Sequence, residues 1–493
     1  MKPVAHFVTR FSKLTLILST IAIVIFGFFG FQVFGNLQAG GYDNPNSDSS
    51  KVYDILEQTY DQRVPEVILI VDFNQSADSD QAAEIALKLS NAVRAEPGVK
   101  RIDSYYTMNR PASLKSRDGE QAYFFVHLDS DQVKNDASAA IEEDFDGQYE
   151  GATVYVAGWT TISTEINDVI TEDLVFAETL AIPLTILLLL FIFGSVVSAG
   201  LPFVVAGFSI LASFFTLWFI SKTTDVSVFG VNLVTGLGLG LGIDYALLMV
   251  NRYREERANG LDTVKATQKT VETAGRTVLF SGLTVATVLV GLSFFPQYFL
   301  KTFAYSGISV VLFALVATLF TLPALFNILG DKINLGSLRL ANKETKDHGA
   351  WANVAKFVMR KPIATSLVTL IALGSLASLG AGVEFGQVDD RILPVQDRVV
   401  VANDQIRRNF EGREATPIEI IIKGATPEEI LTFAEAVSNE PHIVRVQSTQ
   451  GISTQGSTDF FSGILFGAYE KDDYQRVVAI TDIDSRSTNG YNL

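Results

Sequence analysis

An aspartate and a tyrosine, Asp244 and Tyr245, stand side by side in a stretch otherwise made of small and aliphatic residues: GLGLGLGI before the pair and ALLMV after it. Arg252, the next charge, lies two helical turns further on, so a helix here would hold the carboxyl about 12 Å inside its charged end. An aspartate near the middle of a membrane helix costs about 2.5–3.5 kcal/mol on insertion scales. Residues kept at that cost usually face the bundle interior and mark ion or proton paths. Burial drives a carboxyl toward its neutral form, which lets it bind and release protons near neutral pH. A neighbouring tyrosine hydroxyl can donate to the carboxylate or pass a proton on through water. The plainer alternative is an aspartate that only hydrogen-bonds a partner helix. The glycines before the pair, Gly236, Gly238, Gly240 and Gly242, miss the dinucleotide pattern because Leu241 stands where a third glycine belongs. They suit helix packing instead, since small residues let a neighbouring helix approach closely.

Other chemistries find no carrier. The chain has no cysteine, which excludes disulfides, thiolate chemistry and Cys-based zinc sites. His6, His127, His348 and His442 are scattered and make no metal-binding spacing. A P-loop and a G-x-S-x-G elbow are both missing, so neither a nucleotide cofactor, a metal nor an enzyme activity is expected. Glu142, Glu143, Asp144 and Asp146 cluster on what reads as a solvated helix face, and Trp159 reads as a packing residue. The net charge of −16 offers no basic face for nucleic acid.

The 493 residues are 48% hydrophobic and only 19% charged, with a mean hydropathy of +0.27. The apolar residues are clumped, and a membrane helix needs about 20 of them in a row. Seven stretches qualify: Leu14–Phe34, Leu174–Phe193, Gly200–Ile220, Val226–Val250, Val278–Phe295, Phe303–Leu329 and Ile363–Val383. Arginines and lysines gather before the first, between the fourth and fifth, and between the sixth and seventh. The positive-inside rule therefore puts the N-terminus and those loops in the cytoplasm.

The expected division is 1–39 for the N-terminus and first span, 40–173 for an exterior domain, and 174–330 for five spans. A cytoplasmic loop at 331–361, a seventh span at 362–384 and a second exterior domain at 385–493 complete it. In the first exterior domain, Glu66–Phe73, Ser79–Ala95, Val99–Tyr106, Gln121–Leu128, Asp131–Phe145 and Ala152–Ala157 read as β-α-β-β-α-β, the ferredoxin-like order. The second starts alike, with strands at Pro417–Lys423, His442–Gln447 and Gln475–Ile483 around a helix at Pro427–Ser438. Short echoes recur at an offset of about 350 residues: Phe7-Val8-Thr9-Arg10 with Phe357-Val358-Met359-Arg360, Glu96-Pro97-Gly98-Val99 with Glu440-Pro441-His442-Ile443, and Leu128-Asp129-Ser130 with Ile483-Asp484-Ser485. The fold class is thus an α-helical polytopic membrane protein with α+β exterior domains, a tandem repeat whose second copy is incomplete. An unfinished sheet would expose an unpaired edge. The sequence is therefore expected to be a fragment of a longer chain, or a short form completed by another chain.

The stretch Gly236–Glu256, GLGLGLGIDYALLMVNRYREE, resembles the fourth-helix signature of the MMPL family within the RND superfamily. The likeness extends to Ala274–Gly282, Asp43–Ser47 and Val154–Gly158, and the order of spans and domains matches too. The resemblance implies a twelve-helix exporter in a bacterial cell membrane, driven by the proton gradient and carrying lipids, lipid-like molecules or drugs. It places Asp244 and Tyr245 in the proton relay and adds Ser281 as a weaker participant. An equivalent Asp-Tyr pair on the family's tenth helix lies beyond these residues. Expected partners are the lipid bilayer, a hydrophobic or lipid-like substrate, protons and further copies of the chain in a homo-oligomer. The competing function is a lipid sensor or translocase-assisting protein of the same architecture that does not transport.

Overall fold

Pro3 in the first turn starts α1 (Lys2–Arg10), and a break at Phe11 separates it from α2 (Ser12–Gly30). The two-residue strand β1 (Leu37–Gln38) and α3 (Asp48–Tyr60) follow. Next come β2 (Val67–Asp72), α4 (Asp80–Ala95), β3 (Val99–Ser104), β4 (Gln121–Leu128), α5 (Lys134–Phe145), β5 (Gly147–Tyr149) and β6 (Ala152–Ala157). The apolar stretches form α6 (Trp159–Phe193) and α7 (Val196–Ile220), then, after β7 (Val226–Ser227), α8 (Phe229–Ala258). A short α9 (Thr263–Glu272) precedes α10 (Ala274–Val290), α11 (Tyr298–Val316) and α12 (Leu322–Leu329). The chain continues through α13 (Ala350–Arg360), α14 (Pro362–Leu379) and α15 (Arg398–Asn409). Last are β8 (Ile418–Lys423), α16 (Pro427–Ser438), β9 (Ile443–Ser448), β10 (Gly451–Thr454), β11 (Ser457–Asp459), β12 (Glu470–Lys471) and β13 (Tyr474–Thr481).

This computed structural model describes residues 1–38, 40–61, 65–129, 134–336, 350–382, 390–414 and 416–483. The start of the expected helix at 131–133, much of the loop 331–361, Val383 and the Asp484-Ser485 echo lie outside them. Among the described residues, seven helical segments are long and apolar enough to cross a membrane. Two compact units emerge, one of Met1–Asn46 with Glu172–Val368 and one of Ser47–Thr171 with Thr369–Leu493. The division runs through α6 and α14.

In the helical unit α7 packs against α2, α8 and α11. The shared core draws Val205, Phe208 and Ala212 from α7, Tyr245, Ala246 and Met249 from α8, and Val311 and Ala314 from α11. Three expected boundaries move, each for a local reason. Val226 belongs to β7, paired in parallel with Leu37 of β1, so α8 starts later than its apolar run. The loop after α8 holds a helix, α9, whose first turn is capped by the Asp262 carboxylate accepting from the Lys265 amide at 2.8 Å. A π turn at Ala317–Thr321 joins α11 to α12 just before Pro323, whose missing N–H leaves the ordinary helical ladder one donor short.

The other unit carries two antiparallel sheets. The first has the order β3-β4-β2-β6-β5, which gives β2-α4-β3-β4-α5-β6 the strand placement of a split βαβ unit. The second runs β11-β10-β9-β13, with β8 along the other side of β13. Its hairpin β10–β11 lies between the strands read from the sequence. Two helices beyond the elements expected from the sequence are exchanged between the sheets. α15 lies on β6 and β2, sending Ala402 and Ile406, with Phe410 just after it, into the first core. α3 packs on β8, and the Tyr60 hydroxyl at its end sits 3.1 and 3.0 Å from the carbonyls of Tyr469 and Tyr474.

Candidate functional site

The fourth apolar segment is a single helix, and its glycines divide between two faces. A Cβ added at Gly242 would lie 2.6 Å from the Ala206 Cα, and one at Gly238 would lie 2.5 Å from Ile210 Cγ1. Those two positions let α7 approach the α8 backbone, which no larger residue would permit. A Cβ at Gly236 or Gly240 would meet nothing within 4 Å among the described residues. At four-residue spacing Gly236, Gly240, Asp244 and Leu248 form one exposed stripe, while Gly238, Gly242, Tyr245 and Met249 are buried.

Asp244 therefore departs from the expectation that it faces the bundle interior. It stands on the open stripe, because the covered side of α8 is taken by the α7 contact. Tyr245, one residue on and rotated by about 100°, points the other way and is 5% exposed. Its hydroxyl is fully enclosed and has no hydrogen-bond partner among the described residues. Ser281 of α10 and Asp244 both act on that phenol, Ser281 through its nearby hydroxyl and Asp244 through its charge. Ser281 is exposed. The next residue, Gly282, packs on α11, where an added Cβ would come 2.8 Å from Leu315 Cδ2. A carboxyl on an open helix face, an enclosed phenol with an unused hydroxyl and a nearby serine thus lie within one neighbourhood.

The far end of α8 is tied down by charge. Arg254 donates to the Phe193 carbonyl at the end of α6 at 2.7 Å, and Arg252 pairs with Glu255 at 2.8 Å. Arg257 pairs with Asp331. The sequence reading took these arginines only as orientation signals. Their pairing was not readable, because partners such as Phe193 and Asp331 lie 61 and 74 residues away.

In the sheet unit Glu143 and Asp144 are exposed, as a solvated face requires, but Glu142 and Asp146 are partly buried. Burial raises both carboxyls above their ordinary range; Arg398, at 3.9 Å from Asp146, opposes this, and Asp168 and Asp397 add to it at Glu142. Trp159 is 40% exposed at the start of α6. Among the described residues no group of His, Asp and Glu is arranged to hold a metal.

The sequence model of the MMPL family matches residues 42–365. The chain belongs to the MMPL family. This MMPL chain is a multi-pass membrane protein with β-containing regions besides its spans. It is 32% identical to a membrane protein of Streptomyces coelicolor over 84% of its own length and 58% of that protein's. It is 30% identical to the trehalose monomycolate exporter MmpL3 of Mycolicibacterium smegmatis, over 65% of the chain and 34% of the exporter. It is 25% identical to that organism's mycolic acid-containing lipids exporter MmpL11, over 87% of the chain and 47% of MmpL11. The matches thus span between about a third and three fifths of these relatives' lengths.

Proposed function

We propose that this MMPL protein moves lipids or lipid-like hydrophobic molecules across a bacterial cell membrane, driven by protons that pass through Asp244 and Tyr245 with Ser281 beside them. The observation that carries the proposal is the pairing on α8 of an exposed carboxyl with an enclosed phenol whose hydroxyl makes no well-formed hydrogen bond among the described residues and has Ser281 close by. A proton relay needs groups that change partners, and neither group closes a well-formed hydrogen bond among the described residues. The substrate class follows from relatives whose names describe lipid exporters. The stripe of Gly236, Gly240 and Asp244 is where a second helix bearing an Asp-Tyr pair would approach. The positive-inside rule places the N-terminus in the cytoplasm and the sheets outside. Gly40–Asp173 and the residues after 385 then serve as the exterior domains.

The test is Asp244→Asn at the chromosomal locus, which keeps shape and membrane insertion but removes the titratable group. Lipid export should fall to background while the protein stays in the membrane at its normal level. Unchanged export would sink the relay. If the intact protein binds lipid and collapsing the proton gradient leaves lipid distribution as it was, a lipid sensor replaces the exporter.

A further inference from the structure

The N-terminal helix α1 is held in place by one face and leaves the other bare. Ala5 and Val8 are buried, with the helix packed on α9 and α12. Asn327 donates to the Thr9 carbonyl at 3.1 Å and to the Ser12 hydroxyl at 2.7 Å, and Gln268 reaches the Thr9 hydroxyl at 3.0 Å. The opposite face exposes Lys2, His6, Phe7 and Arg10, continued by Phe11 and Lys13. The Arg10 guanidinium lies 5.3 Å from the centre of the Phe11 ring, which is itself 5.3 Å from that of Phe7. The first hydrophobic span starts immediately afterwards, at Ser12.

These cations have no counter-charge among the described residues. Although the chain carries 54 acidic residues, none occurs between Met1 and Tyr42. Lys2, Arg10 and Lys13 make no ion pair among the described residues. At the end of α8 and in α9 the basic charge is paired in part, although Lys269 and Arg276 make no ion pair among the described residues. There Arg252 pairs with Glu255, Arg257 with Asp331 and Lys265 with Asp262.

The same sequence pattern occurs again about 350 residues on, on a helix exposed all round from Asn353 to Arg360. α13 ends in Phe357-Val358-Met359-Arg360, with Phe357 and Arg360 exposed at the same three-residue spacing as Phe7 and Arg10. Lys361 and Pro362 follow, and the next apolar helix begins. The stretch from His348 to Val383 is again without a single carboxylate. An aromatic ring and a guanidinium on one side of a helix, one turn before a membrane span, match the boundary where phosphate meets acyl chain.

We propose that α1 and α13 are two interfacial binding sites for anionic phospholipid, with Arg10 and Arg360 on the headgroup phosphate and Phe7 and Phe357 at the acyl boundary. Lys13 and Lys361 add charge at the start of each span. The sites do not depend on the transport reading, because they need only that the chain sits in a membrane.

The experiment is native mass spectrometry of the intact detergent-purified protein titrated with phosphatidylglycerol or phosphatidylcholine. The wild type should retain phosphatidylglycerol at least about fivefold better, given that each cation near an anionic surface contributes that order of preference. The pair Arg10→Gln with Lys13→Gln, or Arg360→Gln with Lys361→Gln, should remove part of the preference, and all four together should abolish it. Lys301→Gln, at the far end of its bundle from α1, should leave it intact and controls for the loss of a cation elsewhere on the protein. Melting temperatures of the variants should stay close to the wild type, since the replaced groups are exposed and make no ion pair among the described residues, Arg10 touching only the exposed Phe11 ring. Equal retention of the two lipids, or full phosphatidylglycerol preference in the quadruple variant, overturns the proposal. So does displacement by soluble glycerol phosphate as effectively as by lipid, which would make these free-anion sites.

Discussion

Gly240 and Gly242 stand two residues apart on α8, yet an added Cβ meets open space at the first and the Ala206 backbone, 2.6 Å away, at the second. The same substitution should therefore have opposite effects. Gly242→Ala should destabilise the helical unit by about 1–3 kcal/mol, the usual cost of overpacking a well-filled contact. Gly240→Ala should be neutral or stabilising by up to about 1 kcal/mol, because alanine forms helix better than glycine. Thermal unfolding of both variants in detergent checks this, and a larger loss at Gly240 would mean that its face is covered. The pair Asp244 and Tyr245 was legible in the sequence because a carboxylate within an apolar run is costly wherever it points. The side each faces was not legible. In a segment apolar all round, lipid-facing and helix-facing positions look alike, so periodicity cannot separate them.

At the scale of elements, α15 rests on the first sheet beside a group of carboxyls that burial has shifted. Glu142 and Asp146 lie above their ordinary range chiefly through desolvation, with Arg398 at the start of α15 opposing. A carboxyl raised in the folded state binds its proton more tightly there than in the unfolded chain. Its stabilising contribution is thus complete below the ordinary carboxylate range and is lost as pH rises through the raised value. Amide exchange in α15, corrected for the intrinsic effect of pH, should be slowest under mildly acidic conditions and quicken toward neutrality. Glu142→Gln should flatten that dependence. Protection that strengthens with rising pH would contradict it. The helix itself went unread because Arg398–Asn409 is largely polar, and so did α3, whose opening Ser-Asp-Ser-Ser resembles a linker. α16 was read to its ends: Pro427 stands at its first turn and Thr426 with Glu429 forms a capping box, both local signals.

For the whole molecule the two repeats are not two independent halves, because α15 and α3 are exchanged between the sheets. Phe410 is 3% exposed, and its ring centre lies 4.0 Å from that of Tyr123 on β4. Gln121 and Gln405 share a hydrogen bond at 3.1 Å close by, and the Arg117 amide donates to the Asn409 carbonyl at 2.8 Å. The first sheet thus completes its core with residues that enter the chain nearly 300 positions later, after the seventh apolar helix. Each sheet's β-α-β order could be read locally, but this exchange could not, since a helix carries no sequence mark of which sheet it will cover. Phe410→Ala should cost about 3–5 kcal/mol, as expected for removing a buried aromatic from a packed core. The loss should appear in β2, β4 and β6 as faster amide exchange, although the substitution lies beside the second sheet in sequence. Exchange that quickens only in β8, β9 and β13 would show that Phe410 supports its own repeat instead. Faster exchange in the first sheet would mean that this sheet cannot reach full stability until the chain has been made through Phe410, which ties the folding of the first repeat to the presence of the second.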